Sequence, residues 1–124
     1  MMLLTTAINR SNLHLTSFTS YKKIFSNKFP IIWIINIDFV KSNNSNFDKN
    51  TRITENNIRN IFRDYNITWI FIHNKDGWFN RAVRTVLQKS IPYLEKVDFV
   101  LYLEDDWYYD GPYLDKIVSI KDRD

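Results

Sequence analysis

Three adjacent carboxylates, Glu104-Asp105-Asp106, close the apolar run Val100-Leu101-Tyr102-Leu103. Like charges this close raise one another's pKa values and repel unless something neutralises them. A divalent cation relieves that repulsion. Mg²⁺ or Mn²⁺ prefers oxygen ligands and commonly joins one or two protein carboxylates to the phosphates of a substrate. The residues therefore point to a site for Mn²⁺ or Mg²⁺ and a phosphorylated ligand. The same run also reads as a solvated acidic turn, and its position at the end of a strand favours the metal.

The elements that must position this cluster are legible in turn. Met2–Ile8 reads as a first strand. Ser11 is placed to cap a helix running to about residue 25, in which Leu15, Phe18, Tyr21, Ile24 and Phe25 recur at spacings of three and four. Residues 29–38 follow as a second strand. Its run Ile31-Ile32-Trp33-Ile34-Ile35 is apolar on both faces, as in the buried strands of a parallel sheet. Residues 41–51 are polar and Asn-rich and predict an exposed loop. Thr54 is expected to cap a second helix with Ile58, Ile61, Phe62 and Tyr65 on one side. Residues 68–72 read as a third strand and Gly77 as a turn. A third helix follows with Val83, Val86, Leu87 and Ile91 inward, and residues 99–103 form a buried fourth strand. Pro112 stands near the start of a last short helix over 113–120.

Strand and helix alternating in this way predict an α/β fold: a Rossmann-like, mostly parallel sheet with helices on both faces, as one domain over residues 1–124. Ligands of such sheets bind outside the carboxyl ends of the strands. The polar residues expected there are Asn9 and Arg10, then Asp38, then His73-Asn74-Lys75, then Glu104-Asp105-Asp106.

With these residues in place the chain resembles the nucleotide-binding half of a GT-A-fold glycosyltransferase, most like the family 2 type. The most specific match is DFVLYLEDDW over residues 98–107, which is similar to the strand bearing that family's DxD-type motif. Thr6-Ala7-Ile8-Asn9-Arg10 resembles the first strand and nucleotide loop. Trp78-Phe79-Asn80-Arg81-Ala82 resembles the stretch that opens the helix before the acidic motif. The resemblance implies that Asp106 ligates the metal on the diphosphate of a nucleotide-sugar donor, with Glu104 supporting the metal through water. It implies that Asp105 holds the ribose, Asp38 recognises the base, Arg81 lies near the base or diphosphate, and Asn9 and Arg10 flank the nucleotide. The implied function is transfer of the sugar to an unknown acceptor, by this chain or by an enzyme of which it is the donor-binding half.

The sequence also departs from that family. Asn36-Ile37-Asp38-Phe39 stands where an Asp-Asp-Gly-Ser-like stretch is usual, and no residue matches the catalytic base. In inverting relatives the base comes from an acceptor-binding half well beyond the acidic motif. The expectation is thus of a domain truncated after that motif, or completed by a homo-oligomer or a partner chain. Each candidate residue has a structural use as well. Asp38 would cap a turn, Arg81 would be a helix-surface charge, and Asn9 and Arg10 would be plain loop residues. His73 reads as a strand end more readily than as a base. Trp107, Tyr108 and Tyr109 would either stack on a sugar or cover the core beneath the last helix.

Composition narrows the classes. With no cysteine, a disulfide scaffold, a thiolate metal site and a cysteine nucleophile are excluded. Two histidines make a histidine-rich metal site unexpected. At 44% hydrophobic and 16% aromatic, the chain can build one core. The net charge of +3 is spread over presumed helices and loops in the first half, which reads as a solvated surface and not as a nucleic-acid interface. No apolar run reaches the ~18 residues a bilayer span requires, so a cytoplasmic protein is expected. Two other functions compete. One is a non-catalytic binding or interaction module derived from a glycosyltransferase. The other is a nucleotidyltransferase, which the lack of a Gly-rich phosphate loop disfavours, since Gly77 and Gly111 are the only glycines.

Overall fold

The run IIWIINI over Ile31–Ile37 is buried at every position. A strand can be covered on both faces only when it lies inside a sheet with layers above and below, and the structure places it so. In the computed structural model, residues 2–8, 14–37, 47–73, 79–104, 109, 111–112 and 115–116 are described. Their order is β1 (Met2–Ile8), α1 (His14–Tyr21), β2 (Ile31–Ile37), α2 (Phe47–Ile61), β3 (Ile67–His73), α3 (Phe79–Ser90), a 3-10 segment (Ile91–Lys96) and β4 (Phe99–Tyr102). The four strands form one parallel sheet in the order β3-β2-β1-β4. The fold is α/β and Rossmann-like.

Alternation along the strands divides the core in two. On one face Met2, Leu4 and Ile8 of β1 and Ile31, Trp33, Ile35 and Ile37 of β2 pack with Phe18 and Tyr21 of α1, Ile58 of α2 and Phe62 just after it. On the other, Leu3, Ile32 and Ile34 meet Val86 of α3. Trp33 is the hub of the first face. Its ring lies 5.1–6.1 Å from Phe18, Tyr21, Phe25, Phe62 and Trp69, and its Nε1–H donates to Thr6 Oγ1 at 3.1 Å. The indole thus has both its apolar area and its one donor satisfied.

Several expectations change. The second helix begins at Phe47, not near Thr54, and residues 47–51 are helical where a loop is expected. Thr51 and Thr54 are buried and continue the stripe Ile58–Phe62 toward the N-terminus at spacings of three and four. Burial at threonine is missed by a count of apolar residue types. In α3 the inward row is Ala82, Val86 and Ser90, an i, i+4 series, with Leu87 and Ile91 exposed at 44% and 61%. The fourth strand is a half-buried edge and not a buried one, and Val100 is 38% exposed. Its last ladder bond runs from Leu103 N–H to the Thr5 carbonyl at 2.9 Å. The first helix ends at Tyr21 and continues as i→i+3 turns through Ile24. Of the expected last helix, Asp115 and Lys116 are described and are helical. Ser11, Gly77, Trp107 and Tyr108 lie outside the described residues.

Candidate functional site

The sheet order fixes where a ligand crevice can lie. From β1 the chain moves outward to β2 and β3, then returns to the opposite side of β1 as β4. Helices α1 and α2 cover one face and α3 the other. The direction of winding therefore reverses between β1 and β4. At such a reversal the loops leave in opposite directions and a crevice opens beyond the carboxyl ends.

The two strands end at different heights. β1 pairs with β2 through Ile8, whereas its ladder with β4 ends at Thr5–Tyr102. Three residues of β1, spanning about 10 Å at strand rise, continue past the point where the β4 chain leaves the sheet. Glu104 stands at that point. Leu103 turns into the α1 face of the core. The Glu104 carboxylate shares the other side with Tyr102, whose hydroxyl donates to Glu104 Oε2 at 3.5 Å. Thr5 Oγ1 donates to the Leu101 carbonyl at 3.1 Å, a second tie between β1 and the strand that carries the acids.

Two described residues, Glu104 and Tyr109, are tied to α1. The Tyr21 hydroxyl donates to the Glu104 carbonyl. Tyr109 N–H donates to Ser20 Oγ at 3.3 Å, and the Tyr109 ring lies 5.5 Å from that of Tyr21. Farther on, Ser26 N–H donates to Asp115 Oδ1 at 3.2 Å. Tyr109 thus packs against the core beside α1 instead of standing free. Burial, with the Glu104 charge adding to it, raises the pKa of the Tyr109 phenol above its ordinary value.

Of the sequence-predicted site residues, Glu104 is placed, half-buried, at the winding reversal. Arg81 lies in the first turn of α3, which begins at the carboxyl edge of the sheet, and its side chain is outside the described ones. Asn9, Arg10, Asp38, Asp105 and Asp106 lie outside the described residues. His73 ends β3, where its Nε2 hydrogen-bonds the Glu55 carboxylate of α2, so it serves as a strand-end partner of that helix. Among the described residues no group of three His, Cys, Asp or Glu side chains converges. The donor placed there, a carboxylate oxygen, is the hard type that suits Mg²⁺ or Mn²⁺.

One polar residue of the site region is not singled out by sequence. Asn36, one position before the end of β2, is fully buried, and neither amide atom has a hydrogen-bond partner among the described residues. It lies in register with Ala7 of β1 and Ile72 of β3, on the α3 side. The signal in the sequence is a lone amide inside an apolar strand. A cleft of about 480 Å³ also runs along α1, lined by Leu15, Thr16, Thr19, Ser20, Lys23 and Tyr109. Its described lining comes from α1, the turn after it and Tyr109, and from none of the strand ends.

No described helix is long and apolar enough to cross a membrane. No protein-family model matches the chain, and no curated protein is significantly similar to it.

Proposed function

We propose that this chain binds a nucleotide-diphosphate sugar through a divalent metal and forms the donor half of a glycosyltransferase. One observation carries the reading: the acidic run begins at Glu104, where the winding of the parallel sheet reverses between β1 and β4. In this reading Asp106 and Glu104 hold Mn²⁺ or Mg²⁺, and Asp105, Asp38, Asn9, Arg10 and Arg81 surround the nucleotide. The chemistry a bound divalent ion supplies is neutralisation of the charge that develops on the diphosphate leaving group. This chain's part is to bind and orient the donor at the edge of the sheet. The acceptor and the base that deprotonates its hydroxyl belong to an acceptor-binding half, in this protein or in a partner.

The test is calorimetric titration of the chain with UDP and GDP, with and without Mn²⁺. Metal-dependent binding of a nucleoside diphosphate is expected, and Asp106→Ala is expected to abolish the metal dependence. Equal binding by wild type and Asp106→Ala would remove the acidic run from the site. The product separates the enzyme classes, because a nucleotidyltransferase releases pyrophosphate and a glycosyltransferase releases a nucleoside diphosphate.

A further inference from the structure

β3 stands at the edge of the sheet farthest from β4. Its seven residues, Ile67–His73, pair with β2 without a break in register. The bond from Ile31 N–H to the Asn66 carbonyl sets the phase of that ladder. In a parallel ladder, alternate residues turn both backbone groups to the same neighbour. Thr68, Ile70 and Ile72 therefore face β2, and Ile67, Trp69, Phe71 and His73 turn N–H and C=O outward. Among the described residues none of these outward groups has a backbone partner. Proteins ordinarily blunt such an edge with a very short strand, a lysine, a proline or a bulge, because its free ladder groups pair with any matching extended chain. β3 has none of these devices. It is seven residues long and regular, with no proline, lysine, arginine or carboxylate. Each of its residues is half-buried or exposed.

The strand also matches itself when reversed about Ile70. Trp69 and Phe71, its two aromatics, stand on the α1 and α2 side with ring centres 5.6 Å apart. Thr68 and Ile72, both β-branched, alternate to the α3 side with Ile70. Set antiparallel against a copy with Ile70 opposite Ile70, Trp69 meets Phe71 of the second copy and Thr68 meets Ile72 of the second copy. The ladder phase agrees with this pairing. Trp69 and Phe71 are outward-facing and can exchange both ladder bonds, and Ile70 falls at a position without them, where side chains come closest. Aromatic and β-branched cross-strand pairs stabilise a ladder, and no like charges of the strand stand opposite each other. Two charges of α2 beside the strand are already engaged, Arg59 5.0 Å over the Phe71 ring and Glu55 with His73. We propose that β3 is the interface for a second copy of this chain. The two β3 strands pair antiparallel about a two-fold axis at Ile70 and join two four-stranded sheets into one. A two-fold contact requires one patch complementary to itself, and this strand is such a patch. The interface lies at the opposite edge from the acidic run and does not depend on the function proposed above.

The experiment is sedimentation velocity of the full chain over a concentration series, beside a thermal melt of each variant. Wild type is expected to sediment as a dimer that dissociates on dilution. Thr68→Lys places a charge against Ile72 of the second copy from an exposed position, and is expected to shift the chain to monomer while the melt shows it folded. The chain has no cysteine, so an introduced one links only to its copy. Ile70→Cys is expected to form a disulfide-linked dimer on mild oxidation, because the two Cβ atoms on the axis lie about 4.5–5.5 Å apart. Thr68→Cys is expected not to, because its two copies stand four residues of strand apart, about 13 Å, beyond the reach of a disulfide. Wild type that is monomeric at every concentration, or that assembles without stopping at the dimer, overturns the proposal. Equal cross-linking at positions 68 and 70, or none at 70, overturns it as well. Should Thr68→Lys fail to fold, the contrast between the two cysteine variants decides.

Discussion

Asn36 offers a test of how a buried polar group is tolerated in this sheet. Its amide is fully buried on the α3 side of β2, and both polar atoms lack partners among the described residues. A buried donor or acceptor left unpaired costs about 1–3 kcal/mol, whereas an apolar group of similar shape in its place carries no such penalty. Leucine branches at the same carbon as asparagine and exchanges the amide oxygen and nitrogen for methyl groups. The small Ala7 stands directly across the ladder. Asn36→Leu is therefore expected to raise stability by about 1–3 kcal/mol, which at roughly 4 °C per kcal/mol raises Tm by about 4–12 °C. Asn36→Asp is expected to act in the opposite direction at neutral pH, because an unpaired buried carboxylate is costlier than an amide. The assay is urea unfolding followed by tryptophan fluorescence, with a higher midpoint at unchanged slope for Leu. A lower midpoint at unchanged slope would refute the reasoning and show that the amide has a partner in solution, such as a buried water.

Two further outcomes follow from the core. Trp33→Ala removes the ring on which five aromatic side chains converge and is expected to cost about 3–5 kcal/mol, enough to populate the unfolded chain in a melt. Trp33→Phe, which loses the Nε1–H bond to Thr6 but keeps most of the apolar contact, is expected to cost clearly less; equal losses would mean that the aromatic contacts are not the source. The Tyr65 phenol, which donates to the Phe25 carbonyl, has its pKa raised by burial first and then by the Asp115 and Asp64 charges. With the folded pKa above the unfolded value, the stability linked to this proton is complete below about pH 10 and is lost as pH rises from there through the folded pKa. Tyr65→Phe is expected to flatten the alkaline decline of the urea midpoint, and an unchanged decline would assign it to other groups.

Much of the architecture is legible in the sequence because burial on two faces leaves an unmistakable record. The run IIWIINI, apolar on both faces and rich in β-branched residues, reads as an interior strand, and the helices between the strands give its neighbours their parallel direction. What escapes has a physical reason in each case. Threonine is counted polar, yet Thr51 and Thr54 are buried, so the buried stripe of the helix starts earlier than its apolar residues suggest. Leu87 and Ile91 fit an apolar stripe by spacing alone. The small residues Ala82 and Ser90 take the inward positions because they allow α3 to approach the sheet. For the candidate site, the sequence identifies the acidic run and the strand end that bears it. The bonds of Tyr21 to Glu104 and of Tyr109 to Ser20 join residues 83 and 89 positions apart, and no local pattern encodes contacts of that range. The burial of the Asn36 amide, which has no partner among the described residues, is not signalled by a local pattern.

The strand order also dictates the sequence of events during synthesis. β1, β2 and β3 are consecutive neighbours, so they can pair in the order in which they leave the ribosome. The far edge of β1 cannot be completed until Phe99–Tyr102 has been made. At roughly 5–20 residues per second, the stretch between β3 and β4 takes about 1–5 s to emerge. Throughout that interval the open edge of Met2–Ile8 presents unsatisfied backbone groups, a template for pairing with other chains. Nascent-chain aggregation is therefore expected to concentrate in this window, and a chaperone that shields strand edges would act on this protein before its last strand exists.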